Sequence, residues 1–522
     1  MRRRIGTFGL AAGTVAAVLA TTACGGGSGG GGSSDTLVAE SSFDLQTIDP
    51  ARQFEFTGST LDNAIYQTAL KFEDGDLSKP GTGLCSFKMS SDQKTMTLTM
   101  ADENAKFSDG TPVSADDIVF SYKRLQGIGG NPAFFLDGVD VKKVDDKTIT
   151  LTSKDPNPAL PYILPNASLG IVNSKVVKEN GGTTDSKDKA QQFLDSNSQG
   201  SGAYKVESYN ADSEVVLTAN EHFGGQAPKY KRVVLRNVGG ETQLSDVQSG
   251  QAQVAFDLNS DQVKNLDTGQ VSVATQPSTR SLYVFNTASK DISAVTSNAD
   301  FQNAVRYAID YEKVQQLAGE GAQPLASLVP NEFIGHVPKD QAFKRDLEKA
   351  KDYLKKSGYK GEAITFNYAS DQTVNGVNLS QLAETLQSQL KEAGIELKLA
   401  PAPSSTQLDA FRSGKQAMGI GSWGADFPDP TNYLVFTPGG TVAKRVKWEA
   451  GAAPEVEKLQ KEALAAKEPS DRNTSYSKLY AALNKQGPFI PVVQPVSNVA
   501  INKSVTKYVS NADVSFDFAK AE

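Results

Sequence analysis

Gly421-Ser422-Trp423-Gly424-Ala425-Asp426-Phe427-Pro428-Asp429-Pro430-Thr431-Asn432-Tyr433 follows an apolar, strand-like run at 418–420. Glycines on both sides of the Trp remove side chains, and the prolines at 428 and 430 forbid a helix, so the segment reads as a stiff extended loop. An indole, a carboxylate and bare backbone then face one spot. Together they offer a stacking surface, an anchor for a cation and peptide groups that can pair with an extended ligand. The plain alternative is a Gly/Pro turn around one core Trp and a surface Asp.

Working outward, the region before this loop carries the clearest periodicities. Leu379, Leu382, Leu386 and Leu390 recur at helical spacing between strand-like runs at 364–368 and 395–399, with Gly394 as the stop. That order is a βαβ unit and implies a parallel strand pair. Asp300 can cap a helix over 301–317 that ends at Gly319, with Phe301, Ala304, Val305, Ala308 and Ile309 on one face. The segments at 243–250 and 407–414 share Gln-Leu-x-x-apolar-x-Ser-Gly, each a short helix before a strand, which fits two lobes of similar build. After the loop, 488–493 reads as a strand that recrosses to the first domain.

Earlier in the chain, 37–39 reads as a first strand, Ile48-Asp49-Pro50 as a turn, and 61–70 as a helix. Met96, Leu98 and Met100 alternate as a half-buried strand. In the block 106–120, Asp109-Gly110 makes a turn and Ser114 caps a helix with Asp117 at its third position, leaving Ile118, Val119 and Tyr122 as the buried face.

The first residues form an address. Arg2, Arg3 and Arg4 precede an apolar run at 8–20, too short to span a bilayer and suited to a secretory signal. Cys24, behind Ala23 and before a Gly/Ser tract, resembles a lipoprotein processing site, although Thr21 stands where such sites usually carry Leu. The tract is a flexible tether. Lipidation of Cys24 leaves Cys85 without a partner, so no intramolecular disulfide is expected.

Length and composition exclude several classes. At 522 residues the chain needs two or three domains. A net charge of −7 argues against nucleic-acid binding, which needs clustered Lys and Arg. Neither His222 nor His336 has a second ligand at metal spacing, and no Gly-x-Ser-x-Gly elbow or His-Glu-x-x-His helix is present. No cofactor, metal or catalytic residue is expected.

The stretch Trp423 to Pro430, the block 106–120, the Ile48-Asp49-Pro50 step and the strand restart Gly202-Ala203-Tyr204-Lys205-Val206 occur in the order seen in the oligopeptide/dipeptide-binding family (family 5) of bacterial ABC-transporter solute-binding proteins, which this chain resembles along its mature length. The resemblance implies an α/β, periplasmic-binding-protein-like fold of two lobes with mixed sheets and three domains. On this chain they run as follows: signal 1–23, tether 24–35, domain I at 36–58, 168–279 and 490–522, domain II at 59–167, and domain III at 280–489. It implies a monomeric receptor that closes on a short peptide by hinge motion, hands it to importer permease subunits, and is lipid-anchored at the outer face of the cytoplasmic membrane. Asp426 is the expected partner of the ligand amine, Ser422 and Gly424 would offer main-chain groups, and Trp423 and Phe56 would flank a side-chain pocket beside 53–56. Some relatives carry an Arg three residues before the Trp for the ligand carboxylate. Ile420 stands there in this chain, and Arg280 is the candidate substitute. The same scaffold in relatives holds oligosaccharides, metal chelates or other solutes, and an exported hydrolase is the further alternative.

Overall fold

The computed structural model describes residues 35–512 and 514–522. The expected signal, Cys24 and the tether up to residue 34 lie outside them.

Three larger sheets carry the architecture. A seven-stranded mixed sheet has the order Val271–Pro277, Val496–Asn502, Val254–Ala255, Thr36–Ser41, Arg232–Asn237, Glu214–Ala219, Tyr204–Asn210. Its centre is parallel, with Leu37 opposite Val233 and Ala39 opposite Val254, and its flanks are antiparallel. A four-stranded antiparallel sheet is built from residues 85–153, with Leu98 opposite Ile149. A five-stranded sheet has the order Leu397–Ala402, Ile364–Ala369, Met418–Gly424, Arg280–Asn286, Phe489–Val493.

The βαβ unit forms as its periodicity implies. Ile364–Ala369 and Leu397–Ala402 pair in parallel, and the helix Leu379–Glu392 buries Leu382, Leu386 and Leu390 against them. The helix Ala115–Ile128 has its reciprocal cap. Asp117 accepts the Ser114 backbone N–H at 2.9 Å and the Ser114 hydroxyl at 2.5 Å, and its other oxygen takes the Ser174 N–H at 2.9 Å. This motif therefore fastens two helices together.

Three expectations are corrected. The helix expected over 301–317 is two, Ala299–Ala308 and Tyr311–Ala318. Asn298 rather than Asp300 caps the first, and Asp310 caps the second by accepting the Lys313 N–H at 3.1 Å, so Ile309 leaves helical geometry. A short acidic side chain in mid-pattern competes with helix continuation. The helix expected at 61–70 lies at Phe56–Ile65. Finally, Phe489–Val493 stays in the five-stranded sheet beside Arg280–Asn286, and Val496–Asn502 is the strand that crosses to the seven-stranded sheet. Both runs are apolar, and Pro495 between them marks the crossing. The boundary expected at 490 thus falls inside a strand.

A buried charge network ties the turn at Asp49 to the helix Ala115–Ile128. Arg124 donates two hydrogen bonds of 2.6 Å to Asp49 and two more, of 2.7 and 2.9 Å, to Asp188. With every oxygen engaged, such a network fixes geometry more than it adds stability. It holds the segment 50–56 that runs from Asp49 into the cavity described next.

Candidate functional site

Where the three sheet regions meet lies a cavity of about 400 Å³. The seven-stranded sheet contributes Gln276 and Val499, the loop after the four-stranded sheet contributes Asn166 and Ser168, and the five-stranded sheet contributes Arg280 and Gly424. Phe54, Glu55 and Phe56 close one side. Three charged side chains line it among the described residues: Glu55, Arg280 and Asp426.

Antiparallel register decides what the quoted loop can present. Arg280 stands opposite Gly424, Ser281 opposite Trp423, Tyr283 opposite Gly421 and Phe285 opposite Gly419. Successive side chains of a strand point to opposite faces. Trp423 therefore leaves on the face of Tyr283, where its ring meets Phe436 edge-on at 5.3 Å, and Arg280 and Gly424 occupy the other face. The expectation that indole and carboxylate face one spot is corrected by this alternation. Trp423 and Ser422 are not among the cavity-lining residues, whereas Phe56, Arg280, Gly424 and Asp426 are.

The glycines also have a different use from the one expected. A Cβ at Gly421 would come within 2.4 Å of the Tyr283 ring, and one at Gly419 within 2.7 Å of the Phe285 ring. These glycines make room for cross-strand aromatics. At Gly424 the neighbour is the Arg280 side chain, whose Cζ would lie 3.3 Å from a Cβ, so the arginine is folded flat over that residue.

Trp423 acts through a neighbour. Its Nε1–H donates to Asn432 Oδ1 at 3.1 Å, and Asn432 Nδ2 in turn donates to Asp426 Oδ2 at 3.1 Å. Asn432 is buried and sits on the 3₁₀ turn Pro430–Phe436, whose cap is Asp429, accepting the Thr431 N–H at 3.0 Å. Asp429 is itself fully buried, and Arg472 holds both its oxygens at 2.8 and 2.7 Å. The two acids of one loop thus differ in kind: Asp429 is a paired structural group, and Asp426 faces the cavity.

Desolvation raises the Asp426 carboxyl above the usual range, against the Asn432 hydrogen bond and the pull of Arg280. Desolvation likewise lowers Arg280, against the attraction of Asp426, Asp44 and Tyr433. Asp426, half-buried, lacks part of the hydration it would have in water and would be relieved by an opposite charge, whereas the Arg280 side chain keeps an exposed face. Phe56, 45% exposed, lines the cavity with its ring steeply inclined to that of Phe256 at 6.2 Å. Gln53, expected at the groove, is fully buried beneath it, donating to Ser59 Oγ at 2.7 Å.

Asn432 and Phe427 were not among the expected site residues. The Asp-Pro start of the turn is a helix-start signal that places Asn432, but its two partners are set by the fold. Among the described residues no group of three His, Cys, Asp or Glu stands together as a metal site, and no helix is long and apolar enough to cross a membrane.

A cavity enclosed by three sheet regions, with one unpaired cation and one desolvated carboxylate on its wall, defines a solute receptor. The chain belongs to the family described as bacterial extracellular solute-binding proteins, family 5, whose pattern matches residues 80–444. It is 30% identical over 490 residues to the protein of Escherichia coli K12 named "Probable D,D-dipeptide-binding periplasmic protein DdpA", covering 91% of this chain and 92% of that one. The substrate-binding protein CtaP of Listeria monocytogenes superposes with a TM-score of 0.80 at 20% identity, over 93% of this chain and 98% of that one. DppA of Helicobacter pylori, solved with the peptide STSA, superposes with a TM-score of 0.73 at 21% identity, over 93% and 97%.

Proposed function

We propose that this protein captures short peptides and delivers them to the permease of an ABC importer, without performing chemistry on them. The observation that carries the reading is the Asp426 carboxylate: desolvated in the cavity, steadied by Asn432, and directed where an ammonium can replace its lost hydration. A peptide's amino terminus is such an ammonium. Arg280 would take a carboxylate, Gly424 would leave main chain open to the peptide backbone, and Phe56 would cover a side chain. Trp423 would contribute from behind by holding Asn432, and Ser422 would offer main-chain groups at the edge of the site. The names of the E. coli relative and of the H. pylori complex support a peptide ligand.

The reading extends to the whole chain. Residues 1–23 would direct export, Cys24 would carry lipid, and the tether would let a monomeric receptor work at the outer face of the cytoplasmic membrane. Domain I would be built from the segments that feed the seven-stranded sheet, domain II around the four-stranded sheet and domain III around the five-stranded one. An oligosaccharide or chelate ligand in the same receptor is the second reading.

The test is to denature the purified protein, identify what it releases by mass spectrometry, and titrate di- to tetrapeptides of L and D series by calorimetry. Asp426→Asn should weaken peptide binding by roughly 2–5 kcal/mol, the scale for leaving one partner of a buried charge pair alone. Release of a sugar or chelate with no peptide binding would overturn the peptide reading.

A further inference from the structure

A second cavity, of about 360 Å³, lies outside the cleft and shares no lining residue with the first. It opens between the end of the helix Ala299–Ala308, the segment 340–346 that leads into the helix Leu347–Ser357, and the helix Pro469–Gln486. Peptide capture makes no use of it.

Beneath it lies an arginine without a counter-ion. Arg306, 1% exposed, donates from Nε to Asn484 O at 3.0 Å, from Nη1 to Asn303 Oδ1 at 3.3 Å and from Nη2 to Gly487 O. All three acceptors are neutral, and among the described residues no carboxylate pairs with it. Desolvation draws the guanidinium down to about 10, so it stays charged at neutral pH. A buried charge without an opposite charge is costly, and an anion in the space above lowers that cost. Asn484 and Phe343, whose ring centre is 5.9 Å from the guanidinium, both line the cavity.

Two buried polar atoms of lining residues are also unmatched. Asn484, 3% exposed, donates from Nδ2 to Ala326 O at 2.6 Å, but its Oδ1 has no hydrogen-bond partner. Arg345 holds Asp310 at 3.4 Å and Glu392 at 2.6 Å through its terminal nitrogens, and its Nε has none. The first needs a donor and the second an acceptor. Around the mouth the charges are unequal. Asp346 caps the helix Leu347–Ser357 and lies 3.4 Å from Lys349 Nζ, so these two offset each other. Lys344 and Lys485 then stand against Asp340 alone, and with Arg306 they make a positive spot on a chain of net charge −7.

We infer that this cavity is a second binding site, taking a tetrahedral phosphate, free or as a monoester. Phosphate presents oxygens in several directions, which suits donors from several segments better than a planar carboxylate does. With a second pKa of about 6 it also keeps, in part, the hydroxyl that Asn484 Oδ1 can accept. Sulfate has the same shape and no such proton.

Calorimetric titration of the intact receptor with inorganic phosphate, glycerol phosphate and sulfate tests this. Phosphate or its ester should bind with a Kd of about 1 mM or tighter, and sulfate at least about tenfold more weakly, the scale of one charged hydrogen bond. Lys344→Gln with Lys485→Gln, both on exposed residues, should weaken phosphate by at least about tenfold. Asp340→Asn, which removes the opposing charge, should tighten it, and Asp426→Asn in the cleft should leave it unchanged. Tighter binding of the ester would make the occupant a phosphorylated solute, and tighter binding of phosphate the free ion. No binding of either at about 10 mM, sulfate binding as tightly as phosphate, or an affinity untouched by the paired lysine substitutions would overturn the site and leave peptide capture standing.

Discussion

Asp426 and Asp429 stand three residues apart, and their surroundings give them opposite work. Asp429 is enclosed and paired with Arg472; Asp426 is desolvated without a cationic partner in contact. The sequence shows two acids in one loop and cannot say which is which, because Arg472 lies 43 residues away. A third acid illustrates the same principle away from the site. Glu40 lies fully buried in the strand Thr36–Ser41, and burial together with the charge of Asp246 pushes its carboxyl up to about 7. Arg236, 3.9 Å away, opposes the shift without cancelling it. The folded state therefore holds this proton more tightly than the unfolded chain, whose ordinary value is 4.5. Stability from this group is complete below the unfolded value and is lost as pH rises through the folded one. Glu40→Gln, neutral throughout, should melt higher than the wild type at pH 8, by an amount worth about 1–3 kcal/mol, and equal it near pH 4. Scanning fluorimetry across that range checks it, and a gap independent of pH would show that some other property of the side chain matters.

Elements differ in how far their sequence announces them. The helix Leu379–Glu392 and its flanking strands were legible because their periodicities are local, and the cap at Ser114 was legible because it spans four residues. The strand Met418–Gly424 was legible as a strand, yet the face of each residue was not. That depends on pairing with Arg280–Asn286, almost 140 residues earlier, and a shift of one residue would exchange every face. This is why Trp423 was expected beside the ligand and stands instead behind Asp426, joined to it by Asn432. The glycines of this strand carry the same lesson. Gly421 looks from sequence like an open approach for ligand, but it accommodates Tyr283, whose ring is pinned edge-on by Phe436 at 5.6 Å and Phe489 at 5.8 Å. Gly421→Ala should therefore lower stability by about 1–3 kcal/mol, the usual cost of overpacking a core that cannot yield. Urea unfolding measures it. An unchanged midpoint would mean that Tyr283 swings aside and that the strand tolerates a side chain.

At the scale of the molecule, the crossings between the seven- and five-stranded sheets set what can move. The chain passes between them at 277–280 and again at 493–496, and the two crossings are tied together. Ser278 N–H donates to Pro495 O at 2.9 Å, and buried Gln494 donates to Ser278 O at 2.8 Å while its own oxygen accepts from Asn331 at 2.7 Å. Two adjacent, hydrogen-bonded crossings are where the expected hinge closure would turn. Contacts also span the cleft, among them Tyr162 beneath the Arg472 guanidinium. Asn166 Nδ2 donates to Asp426 O at 3.2 Å, and Phe427 packs on the cluster of the four-stranded sheet, 6.4 Å from Phe135. Asp426 and Phe427 are consecutive, so the residue proposed to meet the ligand amine and the residue that docks on the opposite lobe share one peptide bond. Removing the Phe427 ring should leave the amine contact intact and depopulate the closed state. Apparent affinity falls by the fraction of molecules that remain closed, so a closure weakened by about 1–2 kcal/mol gives a five- to thirtyfold loss. Phe427→Ala should thus bind peptide more weakly through faster dissociation, with a larger radius of gyration in saturating peptide by small-angle X-ray scattering. Equal affinity and an unchanged radius would mean that Asn166 and the rest of the cleft hold the lobes together without the ring.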